Sequence, residues 1–383
     1  MAVWHVLTPE FPPQIGGVGD YTYLVASGLV DAGDEVHVWC PPSGYAPPSS
    51  DGLTVHDECG TLSPADLRRV GRLLDRFPRP RRLLVQWVPH GYGYRSMNLP
   101  FCLWLWQRSV VHGDQVDIMV HEPYLAFWEG SWRQAAVALV HRLMTVVLLG
   151  AAHRVWIAIQ MWEERWRPYT LGRRVPFAWL PVPSGLVSAD TSESNAIRER
   201  YAGREGALIG HFGTYGPAVS DLLLDLVPPV LQSRFAPSLL LMGVRSEGFR
   251  QRLVRTLPSL AGRVHAVGHL SSADVAAHLA ACDLLIQPYP DGISSRRTSA
   301  MAGLALGLPI VTTRGHLTEP LWGESGAVLL ADVADRAGFV AQVERLLEHG
   351  EERERLGEKA RALYDERFDL RHTIAALRAS LAA

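Results

Sequence analysis

The sequence predicts an α/β protein with two domains, each built on a parallel β-sheet with helices on its faces. Two features predict this class. Short apolar runs are followed by glycine-bearing loops and amphipathic helices, and the same order begins again near residue 205. A chain of 383 residues is long enough for two such domains. Because open parallel sheets bind ligands at the carboxyl ends of their strands, we expect both domains to face a shared cleft.

The first domain opens with an apolar run, a glycine-bearing loop and a helix that Gly33 ends. This order of strand, loop, helix and strand is typical of the start of a parallel α/β domain. The predicted elements are strands at 3–7, 35–40, 82–88 and 116–120 and a helix at about 21–32.

The second domain repeats this order after a Pro/Ser-rich segment at 181–194, which we interpret as a hinge. Its predicted elements are strands at 207–210, 238–242, 264–267, 284–287 and 309–312 and helices at about 219–231 and 273–281. Residues 335–381 carry Glu and Arg at helical spacing and predict further helix.

The charge composition excludes some classes of function. The chain has 37 Lys+Arg against 39 Asp+Glu, which argues against a nucleic-acid partner, since such binding needs a basic stripe. The only lysine is Lys359, so 37 − 1 = 36 basic residues are arginine. A GxxxxGK[ST] phosphate loop is therefore absent, as are GxSxG and HExxH motifs.

The compartment and membrane signals favour a cytoplasmic protein. The four cysteines form neither a CxxC pair nor a metal-spaced cluster, and the N-terminus lacks the features of a signal peptide. The apolar stretch 135–159 contains His141, Arg142, His153 and Arg154, which predicts a buried or membrane-grazing helix rather than a spanning one. Tryptophans at 103–106 and 128–132 leave open a peripheral membrane contact on the cytoplasmic face, beside ordinary core packing.

The first candidate motif is the loop at 10–21, which contains Gly16 and Gly17 before the first helix. Bare backbone amides at a helix N-terminus can bind a phosphate or a sugar. A tight turn without a ligand is an equally good interpretation.

The second candidate is His121, which follows an apolar strand and precedes Glu122 and Tyr124. Its imidazole could hydrogen-bond a sugar hydroxyl or move a proton, although a buried structural histidine is the commoner outcome. The segment 89–98, which includes Tyr94 and Asn98, is polar, aromatic and glycine-rich. We take it as a candidate acceptor loop.

The third candidate is the loop at 211–216, where the amides of Gly213 and Thr214 precede a helix and could hold a diphosphate. A short turn between strand and helix explains the same residues.

The fourth candidate is the polar loop at 287–299, which runs into a helix of small residues. Ser294 and Ser295 precede Arg296 and Arg297, whose planar guanidinium groups suit phosphate oxygens. Their predicted place between a strand and a helix favours phosphate binding over solvated surface arginines.

Taken together, these segments resemble the family-4 retaining glycosyltransferases of the GT-B fold, over nearly the whole chain. His121-Glu-Pro is also similar to the phosphatidylinositol mannosyltransferase branch. The segments that carry the resemblance are Phe11-Pro-Pro with Gly16-Gly-Val-Gly-Asp-Tyr21, His121-Glu-Pro, residues 266–288 and Gly307-Leu-Pro-Ile-Val-Thr-Thr313.

The resemblance implies two Rossmann-like domains facing a cleft. It implies an acceptor-side domain at 1–185, a nucleotide-sugar domain at 186–365 and a C-terminal helix at 366–383 that packs back on the first domain. The expected enzyme is a metal-independent, hexosyltransferase-type glycosyltransferase with a UDP- or GDP-linked donor as co-substrate and no other cofactor. Its acceptor would be a glycan, a lipid or a natural product.

The motifs above and the resemblance together give an expected role to individual residues. Catalysis would involve His121 and Asp291, and the leaving diphosphate would be stabilised electrostatically. The implied donor-diphosphate residues are Gly16, Gly17, Gly213, Thr214, Ser294, Ser295, Arg296 and Arg297. The nucleoside and sugar would contact His211, His269, Ser299 and Glu319, and the acceptor would contact Glu122, Tyr124, Tyr94 and Asn98.

The chain departs from the family pattern in the loop before Gly-x-Pro, where the family has Glu-x7-Glu. In one register the two positions are Asp291 and Ser299, and in the other they are Ser294 and Ala302. Neither register has two acids.

The second glycine loop also differs, because His211 stands at the family's arginine site and the lysine is absent. We therefore expect Arg296 and Arg297 to meet the phosphate charge. Two alternatives remain: a non-catalytic GT-B relative that binds a nucleotide or a partner, and another GT-B enzyme such as an epimerase or a glycoside phosphorylase.

Overall fold

The computed structural model describes residues 1–48, 50–127, 131–186 and 190–381. The chain forms two compact units, Met1–Pro181 with Leu370–Ala383, and Val182–Asp369. The observed boundaries lie four residues from those expected from the sequence (181 against 185, and 369 against 365). Trp128, residues 187–189 of the predicted hinge and the last two residues of the predicted C-terminal helix lie outside the described residues.

The first unit contains a seven-stranded parallel sheet with the order β3-β2-β1-β4-β5-β6-β7. Its strands are β1 Val3–Leu7, β2 Glu35–Trp39, β3 Leu53–His56, β4 Arg82–Trp87, β5 Gln115–Val120, β6 Ala152–Ile157 and β7 Phe177–Trp179. Its first five helices are α1 Gly17–Asp31, α2 Pro64–Leu74, α3 Leu99–Val110, α4 Trp132–Ala151 and α5 Met161–Trp166. The strand order reverses between β1 and β4, which places the loops after these strands at the switch point of a Rossmann-like sheet.

The predicted first strand is confirmed, but α1 begins at Gly17 rather than near Tyr21. Its first turn has little apolar periodicity, so the sequence pattern does not detect it. The turn is stabilised instead by a side chain from the preceding loop, described below.

The single helix expected within 135–159 is wrong in its second half. Helix α4 ends at Ala151, and the same apolar run continues as strand β6. The two elements look alike in sequence because both bury apolar side chains. A buried apolar run does not by itself distinguish a helix from a strand. By length and composition α4 could also cross a membrane, as many core helices of soluble proteins could, with a mean hydropathy of 1.6.

The second unit contains a six-stranded parallel sheet with the order β10-β9-β8-β11-β12-β13. Its strands are β8 Leu208–Phe212, β9 Ser238–Met242, β10 Val264–Ala266, β11 Leu284–Gln287, β12 Ile310–Arg314 and β13 Leu329–Asp332. Its helices are α6 Thr191–Ala202, α7 Pro217–Leu231, α8 Ser246–Thr256, α9 Ser272–Ala280, α10 Thr298–Ala305, α11 Pro320–Glu324, α12 Arg336–Glu348 and α13 Gly350–Leu363. In the central strand β9, the four residues Leu239–Met242 are apolar and buried, as expected where helices cover both faces of a parallel sheet.

The charged region 335–381 is not one helix. It breaks at His349 between α12 and α13, and again at Asp369 before the last helix, α14 Leu370–Ala379. Helix α14 belongs to the first unit, where Ile374 packs against Gly28 of α1 and Arg378 pairs with Asp34. The predicted two-domain α/β fold class is thus confirmed.

Candidate functional site

In the glycine loop after β1, a carboxylate of the same loop binds the N-terminus of α1. The Glu10 carboxylate accepts hydrogen bonds from the amides of Val18 (3.0 Å) and Gly19 (3.1 Å) in the first turn of α1. Gly16 permits this contact, since a Cβ there would lie 2.2 Å from Glu10 Oε1, whereas a Cβ on Gly17 would meet nothing within 4 Å. The expected phosphate cradle is therefore occupied in part by a carboxylate, which the sequence analysis did not consider.

His121 follows β5 and lies at the same edge of the sheet, 8% exposed. Its Nε2 lies 2.8 Å from Oε1 of Gln86 at the end of β4, and its ring packs edge-on against Tyr21 of α1. In this orientation of the Gln86 amide, its oxygen accepts the hydrogen bond and so pairs with the tautomer that has its proton on Nε2. The parallel sheet thus brings His121 beside the switch point, with Gln86 setting its tautomer.

The four predicted acceptor residues have different environments. Glu122 lies 3.4 Å from His90 at the surface, and the Tyr124 hydroxyl donates to the carbonyl of Arg165 (3.0 Å). Tyr94 is exposed and has a positive φ.

Asn98 is a correction, because its side chain is fully buried. Its amide donates to the carbonyl of Tyr92 (2.7 Å), and its oxygen accepts from Phe101 at the N-terminus of α3. This side chain caps a helix and closes a loop, so it is not accessible to an acceptor.

The loop after β11 gathers three charged side chains at the carboxyl edge of the second sheet. Nη2 of Arg296 lies 2.9 Å from Asp291, and Arg297 also pairs with this carboxylate, each side chain being about one-fifth exposed. The Arg297 guanidinium lies 4.5 Å above the centre of the Tyr289 ring. Burial, together with the neighbouring Arg296 charge, lowers the pKa of Arg297 from its usual value. The cluster has a formal charge of +1, and Asp291 holds the two guanidinium groups side by side.

Ser299, predicted to contact the donor, hydrogen-bonds the hydroxyl of Tyr289 (2.8 Å). It therefore supports the ring on which Arg297 rests. Burial raises the pKa of Tyr289 to about 12, so this phenol stays protonated.

The predicted donor contacts of Glu319 and Ser295 are corrected, because these two side chains bind each other inside the domain. The Glu319 carboxylate accepts from the amide of Ser295 (2.7 Å), from its hydroxyl (2.5 Å) and from Trp322 Nε1 (3.0 Å). Glu319 is 5% exposed, and Ser294 and Ser295 are fully buried. The Ser295–Glu319 contact therefore anchors the loop that carries the arginines, and these two side chains are engaged with each other rather than directed at the donor.

His211 is also a correction, since strand β8 continues to Phe212 and includes it. Its ring is 2% exposed and packs against Tyr215, and burial lowers its pKa to about 3, so it is neutral. The Gly213 amide donates to the carbonyl of Met242 and is thus not available to a phosphate. Thr214 and His269 are exposed after β8 and β10.

Several buried polar atoms in this domain have no hydrogen-bond partner among the described residues. Those near the carboxyl edge of the sheet include His211 Nδ1, both side-chain polar atoms of Gln287, Ser294 Oγ and Arg297 Nε. Buried polar groups are normally satisfied by protein, water or ligand. Gln287 ends β11 next to the switch point between β8 and β11. The sequence analysis included it in the loop at 287–299 but gave it no role, because a lone glutamine at the end of an apolar strand gives no motif. Within the described ranges, no group of three or more His, Cys, Asp or Glu side chains could hold a metal ion.

Part of the second unit is similar to a known family. Residues 207–349 match the family described as Glycosyl transferases group 1. These residues include the Asp291–Arg296–Arg297 cluster and the loop that Glu319 anchors. No curated protein sequence matches the chain.

Three solved structures share the fold over the whole chain. Sucrose-phosphate synthase from Thermosynechococcus elongatus superposes with a TM-score of 0.78 at 14% identity, over 100% of this chain and 98% of that chain. HepE from Anabaena, in complex with UDP and glucose, gives 0.72 at 15% identity, over 100% and 99%. The α,α-trehalose-phosphate synthase (UDP-forming) from Burkholderia xenovorans, in complex with glucose-6-phosphate, gives 0.69 at 11% identity, over 100% of both chains. At these identities the likeness shows the fold, which is GT-B.

Proposed function

We propose that this protein is a glycosyltransferase that moves a sugar from a nucleotide-diphospho-sugar to an acceptor hydroxyl. The proposal is carried by the Asp291–Arg296–Arg297 cluster, which lies at the carboxyl edge of the second sheet within the matched residues 207–349. Two guanidinium groups held side by side present a planar array of donors that suits diphosphate oxygens. The leaving diphosphate gains negative charge as the glycosidic bond breaks, so this positive charge would stabilise the transition state.

The donor is proposed to be UDP- or GDP-linked and to bind the second domain. Two of the structural neighbours, HepE and the trehalose-phosphate synthase, carry UDP in their descriptions, which supports a uridine donor. The acceptor, a glycan, a lipid or a natural product, would bind the first domain near His121.

The transfer is proposed to retain the anomeric configuration and to need no metal, since arginines supply the positive charge. Proton NMR of the first product formed would give the configuration directly. Turnover should persist in EDTA, and a loss of turnover that Mg²⁺ restores would contradict metal independence. A cytoplasmic location is proposed because the four cysteines are all free and buried.

A thermal-shift panel of UDP, GDP, ADP, TDP and their sugars tests donor binding. A ligand at 100 times its Kd stabilises the protein by about 2.7 kcal/mol, which raises the Tm by a measurable amount. The absence of a shift with every nucleotide would overturn the proposal.

Arginine variants test the cluster itself. Arg297→Ala and Arg296→Ala should weaken UDP binding about tenfold or more and leave uridine binding almost unchanged, because only the diphosphate meets the guanidinium groups. Arg255→Ala, at an exposed position on α8, serves as the matched control. Equal losses for the nucleotide and the nucleoside would show that the arginines do not contact phosphate.

A non-catalytic GT-B relative is the second candidate, favoured by one observation. The single acid of the loop, Asp291, is engaged by both arginines, and the second acid of the family pattern is absent. A protein of this kind would shift its melting temperature with a nucleotide but would not release UDP from a UDP-sugar in the presence of acceptors.

A further inference from the structure

Helices α3 and α4 of the first domain expose apolar side chains to solvent. Leu103, Trp106 and Val110 recur at i, i+3 and i+7 on α3 and are 48%, 42% and 58% exposed. On α4, Leu139 and Leu143 are 63% and 49% exposed. An amphipathic helix on a soluble domain normally presents polar residues at such positions. We call the surface formed by Leu103, Trp106, Val110, Trp132, Leu139, Leu143 and Leu171 the α3–α4 face.

A groove of about 470 Å³ opens on this face. It is lined by Leu103 and Trp106 of α3, by Val146 and Val147 of α4, and by Leu171. Leu103, Trp106 and Leu171 of the face line this groove together, whereas scattered exposed apolar residues are normal on soluble proteins. Leu139 and Leu143 continue the same side of α4, eight and four residues before Val147.

Helix α4 and the segment 167–174 contribute arginines to this face, and Arg167 of the segment pairs with Glu163 of α5. Helices α3 and α4 and the segment 167–174 contain no Asp or Glu. Arg133, Arg173 and Arg174 are exposed there and have no acidic partner within 4 Å among the described residues. Glu129 precedes α4 and lies outside the described residues.

Helix α4 lies along the domain and does not project from it. His141, Met144 and Leu148 point inward and are buried, and Ala152 begins strand β6 directly after the helix ends. Helix α4 therefore has apolar residues on both its buried and its exposed side, and it packs against α3 and the segment 167–170. This arrangement fits a helix that rests in the plane of an interface.

We propose that the α3–α4 face binds the surface of a lipid bilayer that contains anionic lipids. The apolar side chains insert at the boundary between headgroups and acyl chains, and Trp106 and Trp132 suit that depth. Arg133, Arg173 and Arg174 meet the negative headgroups, and the described residues of α3, α4 and 167–174 include no acid that would repel them. A second copy of the chain is disfavoured, because a two-fold contact would set one arginine-bearing surface against another with no acid among these described residues to pair with them.

Vesicle flotation tests the proposal with the full chain and without nucleotide, so it fails or succeeds independently of the transfer reaction. The wild type should float with vesicles of POPC and POPG and much less with POPC alone. Leu139→Glu with Leu143→Glu should abolish flotation. Arg133→Glu with Arg174→Glu should reduce it by about fivefold or more for each arginine.

The control variants change the same kinds of side chain elsewhere. Tyr45→Glu replaces an apolar residue that is 76% exposed, and Arg255→Glu reverses an exposed charge on α8. Both should float like the wild type. Circular dichroism and Tm confirm that each variant is folded, as expected for substitutions at exposed positions.

Fluorescence gives a second readout. Brominated phosphatidylcholine in the vesicles should quench the wild type more than Trp132→Phe, since Trp132 is 77% exposed on the face. The proposal is overturned if the wild type stays unbound with both vesicle types, or if the controls lose binding equally. It is also overturned if sedimentation velocity shows a dimer that Leu139→Glu with Leu143→Glu converts to monomers.

Discussion

Three carboxylates of the candidate sites are engaged by groups close to them in the fold. Glu10 caps α1, Asp291 binds two arginines, and Glu319 anchors the loop that carries them. Each carboxylate replaces contacts that loop atoms would otherwise make with water, so the loops are ordered before any ligand arrives. The cost of ordering them on binding is correspondingly lower.

His121 is the side chain with the most specific expected role in turnover. His121→Ala should lower kcat by about 10²-fold while leaving donor Kd nearly unchanged, because proton movement or hydroxyl orientation is lost and the diphosphate contacts are not. Gln86→Leu should lower kcat in the same direction by a smaller factor, since it removes the group that orients Nε2. Steady-state kinetics and nucleotide titration separate these effects.

The control for this prediction is His153→Ala, which lies near the amino end of β6, at the opposite edge of the sheet. It should leave kcat unchanged. A normal kcat in His121→Ala would show that His121 is a structural residue.

At the level of elements, the first turn of α1 depends on its glycine loop. Gly16→Ala should cost about 1 kcal/mol of unfolding free energy, because a Cβ there displaces the Glu10 carboxylate from the amides of Val18 and Gly19. Gly17→Ala should be neutral or slightly stabilising, since its Cβ would meet nothing within 4 Å. Urea denaturation measures both.

A double variant makes this prediction specific. In a Glu10→Ala background, Gly16→Ala should cost nothing further, because the contact has already been lost. Additive losses would indicate that Gly16 is needed for another reason.

Strands β1, β2 and β3 each contribute one histidine to a cluster within the first sheet. His5 stacks on His37 at 5.3 Å, and Nδ1 of His37 lies 3.0 Å from Nε2 of His56. Burial, followed by the neighbouring histidine charges, lowers the pKa of His5 from 6.5 to about 3, and burial lowers that of His56 to about 4. The folded state thus keeps the His5 and His56 rings neutral.

This cluster predicts acid sensitivity. Below pH 6.5 the unfolded chain binds protons that the folded chain does not, so stability falls as the pH drops toward the folded pKa. For His5 the loss is about 1.4 kcal/mol per pH unit. The Tm of the wild type should therefore fall between pH 7.5 and pH 5, and His5→Gln should show a shallower dependence.

His316→Gln is the control for this prediction, because it replaces an exposed histidine and leaves the buried cluster intact. Its pH dependence should match that of the wild type. Equal slopes in His5→Gln and the wild type would contradict the prediction.

At the scale of the whole molecule, the chain ends in the domain in which it began. Gly28 of α1 allows α14 to approach, since a Cβ there would lie 2.9 Å from Ile374 Cδ1 and 3.1 Å from Leu370 Cδ2. Gly28→Leu should destabilise the protein by about 1–3 kcal/mol through overpacking, and Ile374→Ala should recover part of this loss. Denaturation of the two single variants and the double variant measures the coupling.

Gly248→Leu on α8 is the matched helical control, because its Cβ would meet nothing within 4 Å. It should be neutral or stabilising. Failure of Ile374→Ala to rescue Gly28→Leu would show that α14 is not the element that Gly28 accommodates.

The two ends of the second unit are hydrogen-bonded to each other. The Ser184 amide donates to the Tyr364 hydroxyl oxygen, and this hydroxyl donates to the Ser184 carbonyl, both at 3.1 Å. The segment that enters the domain and the segment that leaves it are therefore joined by a pair of hydrogen bonds. No sequence pattern marks this contact between residues 180 positions apart.

Local patterns in the sequence determined the fold class, the strands at 3–7, 238–242 and 284–287, and the loops at the strand ends, because apolar periodicity and glycine positions act over a few residues. Tertiary structure alone decided what the polar groups in those loops contact. In the folded chain the amides of α1 donate to Glu10 and Ser295 donates to Glu319. Arg296 and Arg297 both form ion pairs with Asp291. The reason is geometric: a hydrogen bond needs an approach of about 3 Å, and only the folded chain defines which groups come that close.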